Sequence, residues 1–398
     1  MKVLIYGEYF LPSVGGVQTA VELLARGLAT YSGTATELRL IKVTVATNTP
    51  RGTMDDRNLP YRVTRNPSLR QLWNLIREAD VLHLAGPCLL PMLLGWANRK
   101  PVIVVHHVYQ AICPNGLLFK QPSQTVCKGH FAGQEYSECF RCCGATMGAA
   151  RAAYSIVLGF PRRWLCDRAI ANVAVTDHVA NRLKMPRSRT IYLGIDDTKQ
   201  AGWSEVSDPR GIFEFGYIGR LVAEKGLPLL LQAARHLADE QRPFHVTFIG
   251  DGPERQRLEV LVKEMRLVQH VSFVGELTGV ELQRASRNIA ALVMPSIWEE
   301  TAGLAAIEQM MRGRLVIASD IGGLGEIVDG AGLKFNAGDP QGLAQQMRRV
   351  IDDRSLVTTM GSSARTRAKE FFHSDVMISR HVEACRRSIS SDKELQGT

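Results

Sequence analysis

Short β-rich runs alternate with helical patterns throughout this 398-residue chain, first in one half and then again in the other. Apolar runs predict first-half strands at residues 2–6, 41–47, 81–84, 102–105 and 169–175, with helical spacing at 17–29. Second-half strands are predicted at 215–218, 245–249, 271–274, 290–294, 315–318 and 332–335, separated by helical stretches such as 227–237, 254–264 and 303–311. Such alternation predicts parallel sheets with right-handed crossovers.

Two such halves predict an α/β protein with two Rossmann-like domains that face each other across a cleft, with ligands at the carboxyl ends of the strands. We place the N-terminal domain at residues 1–195 and the second domain at 211–374. Residues 199–210 are polar and predict a linker. Residues 375–389 predict a last helix, and residues 390–398 a polar tail.

Composition is that of an ordinary globular protein, with 45% hydrophobic and 22% charged residues. No apolar run is long enough to cross a bilayer. The first residues, MKVLIYG, predict a buried strand rather than a signal peptide. We therefore expect a cytoplasmic protein, peripheral at the inner face of the membrane if it binds one.

Positive charge is concentrated in the first half of the chain. Residues 1–195 contain 23 Lys+Arg and 11 Asp+Glu, a net charge of +12, whereas the remainder has a net charge of −3. Such asymmetry suggests that the first domain meets an anionic partner. No nucleic-acid recognition motif accompanies it. An anionic membrane surface or a diphosphate-linked acceptor is the expected partner, and the alternative is a basic face that only confers solubility.

Two motifs of the second half carry the expected chemistry. The turn GRLVAEKG supplies two cations, Arg220 and Lys225, directly after a predicted strand. The segment PSIWEETAGLAAIE places the carboxylates Glu300 and Glu308 eight positions apart, and a helix beginning at Gly303 would bring both toward one ligand. Two cations for a diphosphate and two carboxylates for hydroxyl groups predict a nucleotide-sugar site.

These two motifs resemble the donor site of retaining glycosyltransferases of family 4, which adopt the GT-B fold, and the resemblance extends over nearly the whole chain. It implies that Glu308 binds the donor ribose, while Glu300 contacts the sugar and Glu299 competes for that role. It implies that Leu277 lies near the base and that the last helix packs back on the first domain. The donor phosphates are expected at the backbone N–H groups of Gly303 and Leu304, and Gly15 and Gly16 are expected to approach the donor from the first domain.

The resemblance also marks a histidine and two departures from the family pattern. His106 ends a predicted strand and matches the functional histidine of family members, so we predict a catalytic role for it. His107 stands where those members carry aspartate, and its role is left open. Leu193 replaces an asparagine before Gly194, in the turn that closes the first domain.

Five cysteines lie between residues 113 and 143. Cys139 and Cys142 have the spacing of half a tetrahedral metal site, which Cys113 or Cys127 would complete. Structural zinc and reduced thiols that fix a loop both remain open. The resemblance suggests that residues 113–143 form an insert characteristic of a subfamily.

Residues 148–170 mix apolar and aromatic side chains with several arginines. This pattern fits an interfacial amphipathic helix pair, although such a stretch is more often a core-facing helix with basic edges.

The resemblance and the motifs together predict an enzyme that transfers a sugar from a nucleoside diphosphate sugar to an acceptor hydroxyl with retention of configuration. The acceptor is either lipid-linked or a small molecule, as in polysaccharide, glycolipid or natural-product synthesis. The sequence contains no Asp-x-Asp motif, so we expect no metal cofactor for catalysis. The alternatives are a GT-B nucleotide-sugar hydrolase or epimerase and a catalytically silent nucleotide-sugar-binding subunit.

Overall fold

A computed structural model describes residues 1–13, 15–32, 40–52, 54–197 and 211–396, with side chains up to residue 391. Contacts divide the chain into two units. Unit 1 comprises Met1–Leu118, Cys127–Ile195 and Phe372–Thr398, and unit 2 comprises Phe119–Val126 and Asp196–Phe371.

Unit 1 is built around a parallel sheet with helices between its strands. Its strands are β1 (Lys2–Gly7), β2 (Lys42–Thr47), β3 (Arg62–Arg65), β4 (Val81–Leu84), β5 (Val102–His106), β8 (Ala171–Ala174) and β9 (Ser188–Thr190). Its helices are α1 (Gly16–Ala29), α2 (Leu69–Glu78), α3 (Leu89–Ala97), α4 (Tyr136–Met147), α5 (Ala149–Arg168), α6 (Asp177–Leu183) and α14 (Ser374–Gln396). A short 3-10 helix spans Asp56–Asn58.

The strands of unit 1 lie in the order β3-β2-β1-β4-β5-β8-β9, and every neighbouring pair is parallel. Local sequence sets the ends of several helices. At α2, the Ser68 hydroxyl accepts from the Gln71 N–H, and the Gln71 side chain accepts from the Ser68 N–H, which is a capping box.

Unit 2 repeats this architecture with six parallel strands. They are β10 (Phe213–Ile218), β11 (Phe244–Ile249), β12 (Val271–Gly275), β13 (Ala291–Met294), β14 (Leu315–Ser319) and β15 (Leu333–Phe335). The helices are α7 (Leu227–Asp239), α8 (Arg255–Glu264), α9 (Gly279–Ala285), α10 (Leu304–Met311), α11 (Gly322–Ile327), α12 (Pro340–Asp352) and α13 (Ser355–Phe371). A 3-10 helix spans Ala223–Lys225, and the hairpin β6 (Phe119–Lys120) and β7 (Thr125–Val126) is grouped with this unit.

The second sheet has the order β12-β11-β10-β13-β14-β15, which is the 3-2-1-4-5-6 order of a Rossmann fold. Strands β13 and β14 are buried along their whole length, and Phe215 of β10 and Phe248 of β11 are also inaccessible to solvent. The predicted α/β class with two Rossmann-like domains is confirmed.

Two edge strands of unit 1, β3 and β9, were missed by the sequence patterns. Both are short and carry polar or charged side chains, which is how exposed sheet edges are commonly built. The predicted linker at 199–210 lies outside the described residues. The last helix extends further than its predicted end at residue 389, because α14 continues through most of the predicted polar tail to Gln396.

Helix α5 forms one continuous 20-residue helix across the stretch read as a helix pair, with Pro161 inside it. Within the described ranges, none of the helices combines the length and apolarity needed to span a bilayer.

Candidate functional site

The predicted donor-side residues of unit 2 lie in loops that follow its parallel strands. Residues 219–226 follow β10, residues 250–254 follow β11, residues 295–303 follow β13 and residues 320–321 follow β14. We call these four segments the strand-end loops. Since the strands are parallel, all four loops leave the same edge of the sheet.

A buried ion pair joins two of these loops. Lys225 Nζ lies 2.8 Å from Glu300 Oε1, and the Glu300 side chain is only 4% exposed. The Ser296 hydroxyl donates to the same carboxylate oxygen. Lys225 also lies 5.7 Å from the centre of the Trp298 ring. A cation and a carboxylate predicted from separate motifs therefore meet at one point.

Close backbone contact fixes the loop that carries Lys225. Gly226 has the left-handed φ of 63°, and a β-carbon there would lie 2.2 Å from the carbonyl oxygen of Pro295. The Ile297 N–H donates to the Glu224 carbonyl over 3.1 Å. Only glycine allows the two loops to approach this closely, and this approach aligns Lys225 with Glu300.

The loop that carries Glu300 is held from its other side by the start of α11. The Gly323 N–H donates to the Glu300 carbonyl over 2.6 Å. A β-carbon at Gly322, whose φ is 61°, would lie 2.7 Å from the Glu300 nitrogen. Backbone contacts on both sides therefore determine the position of the buried carboxylate.

Arg220 is held by its backbone and exposes its side chain. Its carbonyl accepts from the Tyr217 hydroxyl over 2.8 Å, and burial raises the pKa of that phenol. The neighbouring Leu221 N–H donates to the Asp251 carbonyl over 2.9 Å. Among the described residues, the guanidinium has no hydrogen bond or ion pair, so it is available to an anion.

Helix α10 begins beside the buried carboxylate. Gly303 adopts the left-handed conformation, and a β-carbon there would lie 3.7 Å from Glu300 Oε2. The Leu304 N–H is among the first of the helix, which have no acceptor within the helix itself. The start of α10 therefore adds partial positive charge next to the ion pair.

Glu308 lies one turn into α10 and is half-buried. Burial raises the pKa of its carboxyl group, an effect that the nearby Arg312 opposes. A ligand whose hydroxyl groups donate to this carboxylate would stabilise its charged form.

Three features of the site were not predicted. Ser296 bonds the Glu300 carboxylate, and Trp298 buries an indole N–H that has no acceptor among the described residues. The third is the 250–254 loop, whose backbone forms hydrogen bonds with Leu221, next to Arg220. The sequence Gly250-Asp251-Gly252 directly after a predicted strand was the signal that could have identified it.

The other predicted donor contacts, Leu277, Gly15 and Gly16, lie in other segments of the chain than Lys225 and Glu300. Leu277 is half-buried in the loop after β12, the strand next to β11. Gly15 precedes α1 of unit 1, and Gly16 begins that helix. Both glycines stay predicted donor contacts.

The structure argues against the predicted catalytic role of His106. Its side chain is completely buried at the end of β5, and its Nε2 lies 2.9 Å from Asn172 Oδ1 on the adjacent strand β8. Burial lowers its pKa to about 4. In the described conformation the side chain is closed to solvent, so the structure supports a packing role, and the catalytic role of His106 stays a prediction.

His107 points instead to a small internal cavity of about 10 Å³, which His83 and His381 also line. His83 Nε2 lies 3.1 Å from His381 Nδ1, which ties β4 to α14. Burial lowers the pKa of His83 to about 3 and that of His107 to about 4. These neutral histidines belong to the interior of unit 1.

The cysteines of the 113–143 segment do not form the suggested zinc site. No disulfide joins these cysteines, and no set of three or more His, Cys, Asp or Glu side chains in the described part of the chain is arranged to hold a metal ion. Asn115 contacts the sulfurs of Cys113, at 2.9 Å, and Cys142, at 3.6 Å. Burial, followed by the charges of neighbouring cysteines, raises the pKa of Cys139 to about 12. The Cys139 thiol is therefore protonated near neutral pH and packs within the segment.

Residues 207–367, which span nearly all of unit 2, match the family of group 1 glycosyl transferases. A 2-deoxystreptamine glucosyltransferase of Streptomyces kanamyceticus is 36% identical over 140 residues, which cover 35% of this chain and 36% of that protein. A sulfoquinovosyl transferase of Arabidopsis thaliana is 34% identical over 160 residues, covering 39% and 30% of the two chains. The chain thus spans about a third of the length of these relatives.

Solved structures match the fold over almost the full chain. The HepE protein of Anabaena, crystallised with UDP and glucose, superposes with a TM-score of 0.70 at 17% identity, covering 97% of this chain and 100% of its own. A sucrose-phosphate synthase of Thermosynechococcus elongatus gives a TM-score of 0.72 at 19% identity, covering 98% and 99%. The fold is therefore that of the GT-B class.

Proposed function

We propose that this chain is a group 1 glycosyltransferase that transfers a sugar from a nucleoside diphosphate sugar to an acceptor hydroxyl with retention of configuration. The observation that carries the proposal is the Lys225–Glu300 pair beside the start of α10, inside the region that matches the glycosyl transferase family. Anionic and hydroxyl-rich groups of one ligand find complementary partners there.

The donor is held by groups with separate tasks. The exposed Arg220 guanidinium and Lys225 bind the diphosphate, together with the first N–H groups of α10. Glu308 accepts hydrogen bonds from the ribose, and Glu300 accepts from hydroxyl groups of the sugar. Because a solved structure of the same fold contains UDP and glucose, UDP-sugars are the first donors to test.

The transfer step requires stabilisation of the leaving diphosphate. The bond between the anomeric carbon and the phosphate oxygen breaks while a bond to the acceptor oxygen forms on the same face of the sugar. The acceptor proton passes to the departing phosphate oxygen. Arg220 and Lys225 stabilise the negative charge that develops on that phosphate, which is the main electrostatic contribution of the protein.

We propose that these cations take the place of a divalent metal, since the sequence has no Asp-x-Asp motif to hold one. Transfer should then persist in EDTA. A complete loss of activity that Mg²⁺ restores would contradict this part of the proposal.

The proposal is tested by a thermal-shift panel of nucleoside diphosphates, followed by transfer assays with the stabilising donor. A ligand at a hundredfold its Kd adds about 2.7 kcal/mol to the free energy of unfolding. NMR of the product then reports the anomeric configuration, which must match that of the donor. Replacement of Arg220 by alanine should weaken use of the donor. Replacement of Arg257, an exposed arginine on α8, is the matched control.

The alternatives give distinct outcomes in the same assays. Donor hydrolysis at the same rate with and without every acceptor would identify a hydrolase. Tight nucleotide binding without any turnover would identify a silent binding subunit, and the absence of any nucleotide-dependent stabilisation would overturn the donor site itself.

A further inference from the structure

One surface of unit 1 exposes apolar side chains in an unbroken stripe along α5. The stripe follows helical spacing and consists of Ala153, Tyr154, Val157, Phe160, Pro161 and Trp164. Tyr154 is 65% exposed and Val157 is 62% exposed. The opposite face of the same helix, which includes Ile156 and Leu165, is buried in unit 1. The helix is thus apolar on its buried and on its exposed side.

Helix α3 continues this surface. It packs against α5, and its own exposed residues are Leu90, Leu93, Trp96 and Ala97. The Trp96 and Trp164 rings lie 5.7 Å apart in an edge-to-face arrangement, which joins the two stripes. We call the surface formed by the exposed residues of α3 and α5 the apolar face. Among the described residues, unit 2 exposes no large aromatic side chain, and its exposed large apolar side chains are valines.

Arginines border the apolar face. Arg151 and Arg168 lie at the two ends of the α5 stripe, and Arg168 stacks on the Trp164 ring at 3.7 Å. Helix α2, which contacts α3, exposes Arg70 and Arg77. The three helices together contain six arginines against one aspartate and one glutamate, a net charge of +4.

We propose that the apolar face docks unit 1 on an anionic lipid bilayer. Exposed tryptophan and tyrosine beside leucine and phenylalanine, with arginines at the border, match the lipid–water interface. A second copy of the chain is the weaker candidate, because a symmetric contact would bring two surfaces of charge +4 together. The net charge of +12 over residues 1–195 adds longer-range attraction to anionic lipid. This inference does not depend on the proposed enzymatic activity.

The contacts of the arginines near the apolar face determine which of them are suitable for a test. Arg163 donates to the carbonyls of Leu183 and Lys184, and Arg162 donates to the Pro87 carbonyl, so substituting either would disturb the fold. Arg70, Arg77 and Arg151 are exposed, and the structure gives their side chains no ion pair among the described residues.

The experiment measures flotation of the full-length chain with vesicles of phosphatidylcholine alone or of phosphatidylcholine and phosphatidylglycerol in equal amounts. The apolar variant carries Leu93→Ser, Tyr154→Ser and Val157→Ser. Its matched control carries Val260→Ser, Val268→Ser and Val280→Ser, which remove three exposed side chains from unit 2. The charge variant carries Arg70→Glu, Arg77→Glu and Arg151→Glu.

We expect the wild type and the valine control to bind anionic vesicles, and to bind neutral ones poorly. The apolar variant should lose about tenfold to a hundredfold in vesicle affinity, because it lacks three apolar side chains that the bilayer would partly bury. The charge variant should bind weakly even at low salt, and added salt should weaken wild-type binding. Unchanged thermal stability and nucleotide response of each variant confirm that folding and the donor site are intact.

Three results would overturn the proposal. The first is absence of wild-type binding to anionic vesicles at low salt, and the second is equal binding by the apolar variant and the valine control. The third is a dimer, seen by sedimentation velocity, that the apolar variant dissociates while vesicle binding stays unchanged. That last result would assign the face to a second copy of the chain.

Discussion

At the scale of single residues, the structure pairs Lys225 with Glu300 instead of presenting Lys225 as a free cation. The exposed Arg220 has no such partner among the described residues. The two cations of one motif therefore differ in what they contribute to folding, although both are proposed to bind the donor phosphates.

Replacement of each cation by alanine should separate these contributions. Both variants should lower kcat/KM by about tenfold to a hundredfold, the value of a charge-assisted phosphate contact. Only Lys225→Ala should also lower the free energy of unfolding, by up to about 3 kcal/mol, because it leaves the Glu300 carboxylate buried without its partner. Arg220→Ala should change it by less than about 0.5 kcal/mol. Chemical denaturation and donor kinetics measure the two effects.

A double variant provides the control for that comparison. Lys225→Ala with Glu300→Gln removes the unpaired charge and should recover stability without recovering turnover. If Lys225→Ala alone is as stable as the wild type, the ion pair has no structural role.

Glu308 offers a test in which stability and function change in opposite directions. Burial raises its pKa, so ionisation of this carboxyl group costs the folded protein free energy once the pH rises above the unfolded value. Glu308→Gln should therefore leave thermal stability at pH 8 equal or slightly higher while weakening binding of the nucleoside diphosphate. A variant that melts earlier yet binds nucleotide normally would contradict the proposed ribose contact.

At the scale of elements, the site depends on the close approach of loops that follow different strands. The left-handed Gly226 lies against the Pro295 carbonyl, which couples the loop after β10 to the loop after β13. The only regular element in these two loops is the short 3-10 helix Ala223–Lys225, which cannot by itself fix the distance between Lys225 and Glu300.

Gly226→Ala should therefore lower the free energy of unfolding by more than the penalty for placing alanine in the left-handed conformation. Gly330→Ala is the matched control, since Gly330 has a similar φ of 68° and open space where a β-carbon would lie. The control should lose about 1 kcal/mol of stability, and Gly226→Ala should lose more and also bind nucleotide weakly. Thermal melting with and without the nucleotide measures both effects. Equal effects of the two substitutions would show that the loops can move apart at Gly226 and Pro295 without a loss of stability or binding.

At the scale of the whole molecule, the interior of unit 1 makes its stability depend on pH. Burial lowers the pKa of His83 to about 3 and those of His106 and His107 to about 4. An unfolded chain protonates its histidines near pH 6.5, so protons favour unfolding below that value. The contribution of these neutral histidines to the free energy of unfolding is fully present above about pH 6.5. It is lost as the pH falls toward about 4.

Urea titrations at pH 7.5 and pH 5 should show this loss, with a slope of up to about 1.4 kcal/mol per pH unit for each buried histidine. His106→Gln keeps a donor for Asn172 and should reduce the slope. His236→Gln, at an exposed position on α7, should leave it unchanged. Equal pH dependence in all three proteins would show that these histidines titrate normally in the folded state.

The sequence by itself determined the α/β class, the central strands and the two charged motifs that contain Arg220, Lys225, Glu300 and Glu308. Buried parallel strands leave an apolar run, and the cations and carboxylates stand at fixed spacings, so each signal is local. The edge strands β3 and β9 left no such signal because their side chains are polar and partly exposed.

Only the tertiary structure decided which of these residues meet. The pairing of Lys225 with Glu300 depends on contacts between residues 75 positions apart, and the burial of His106 depends on Asn172 in a neighbouring strand. The apolar stripe of α5 was visible as composition, but its exposure was not, because an apolar residue in a helix can face the core or the solvent. Whether a side chain is buried depends on neighbours that are distant in the sequence and that only folding brings together, so a local sequence pattern does not reveal it.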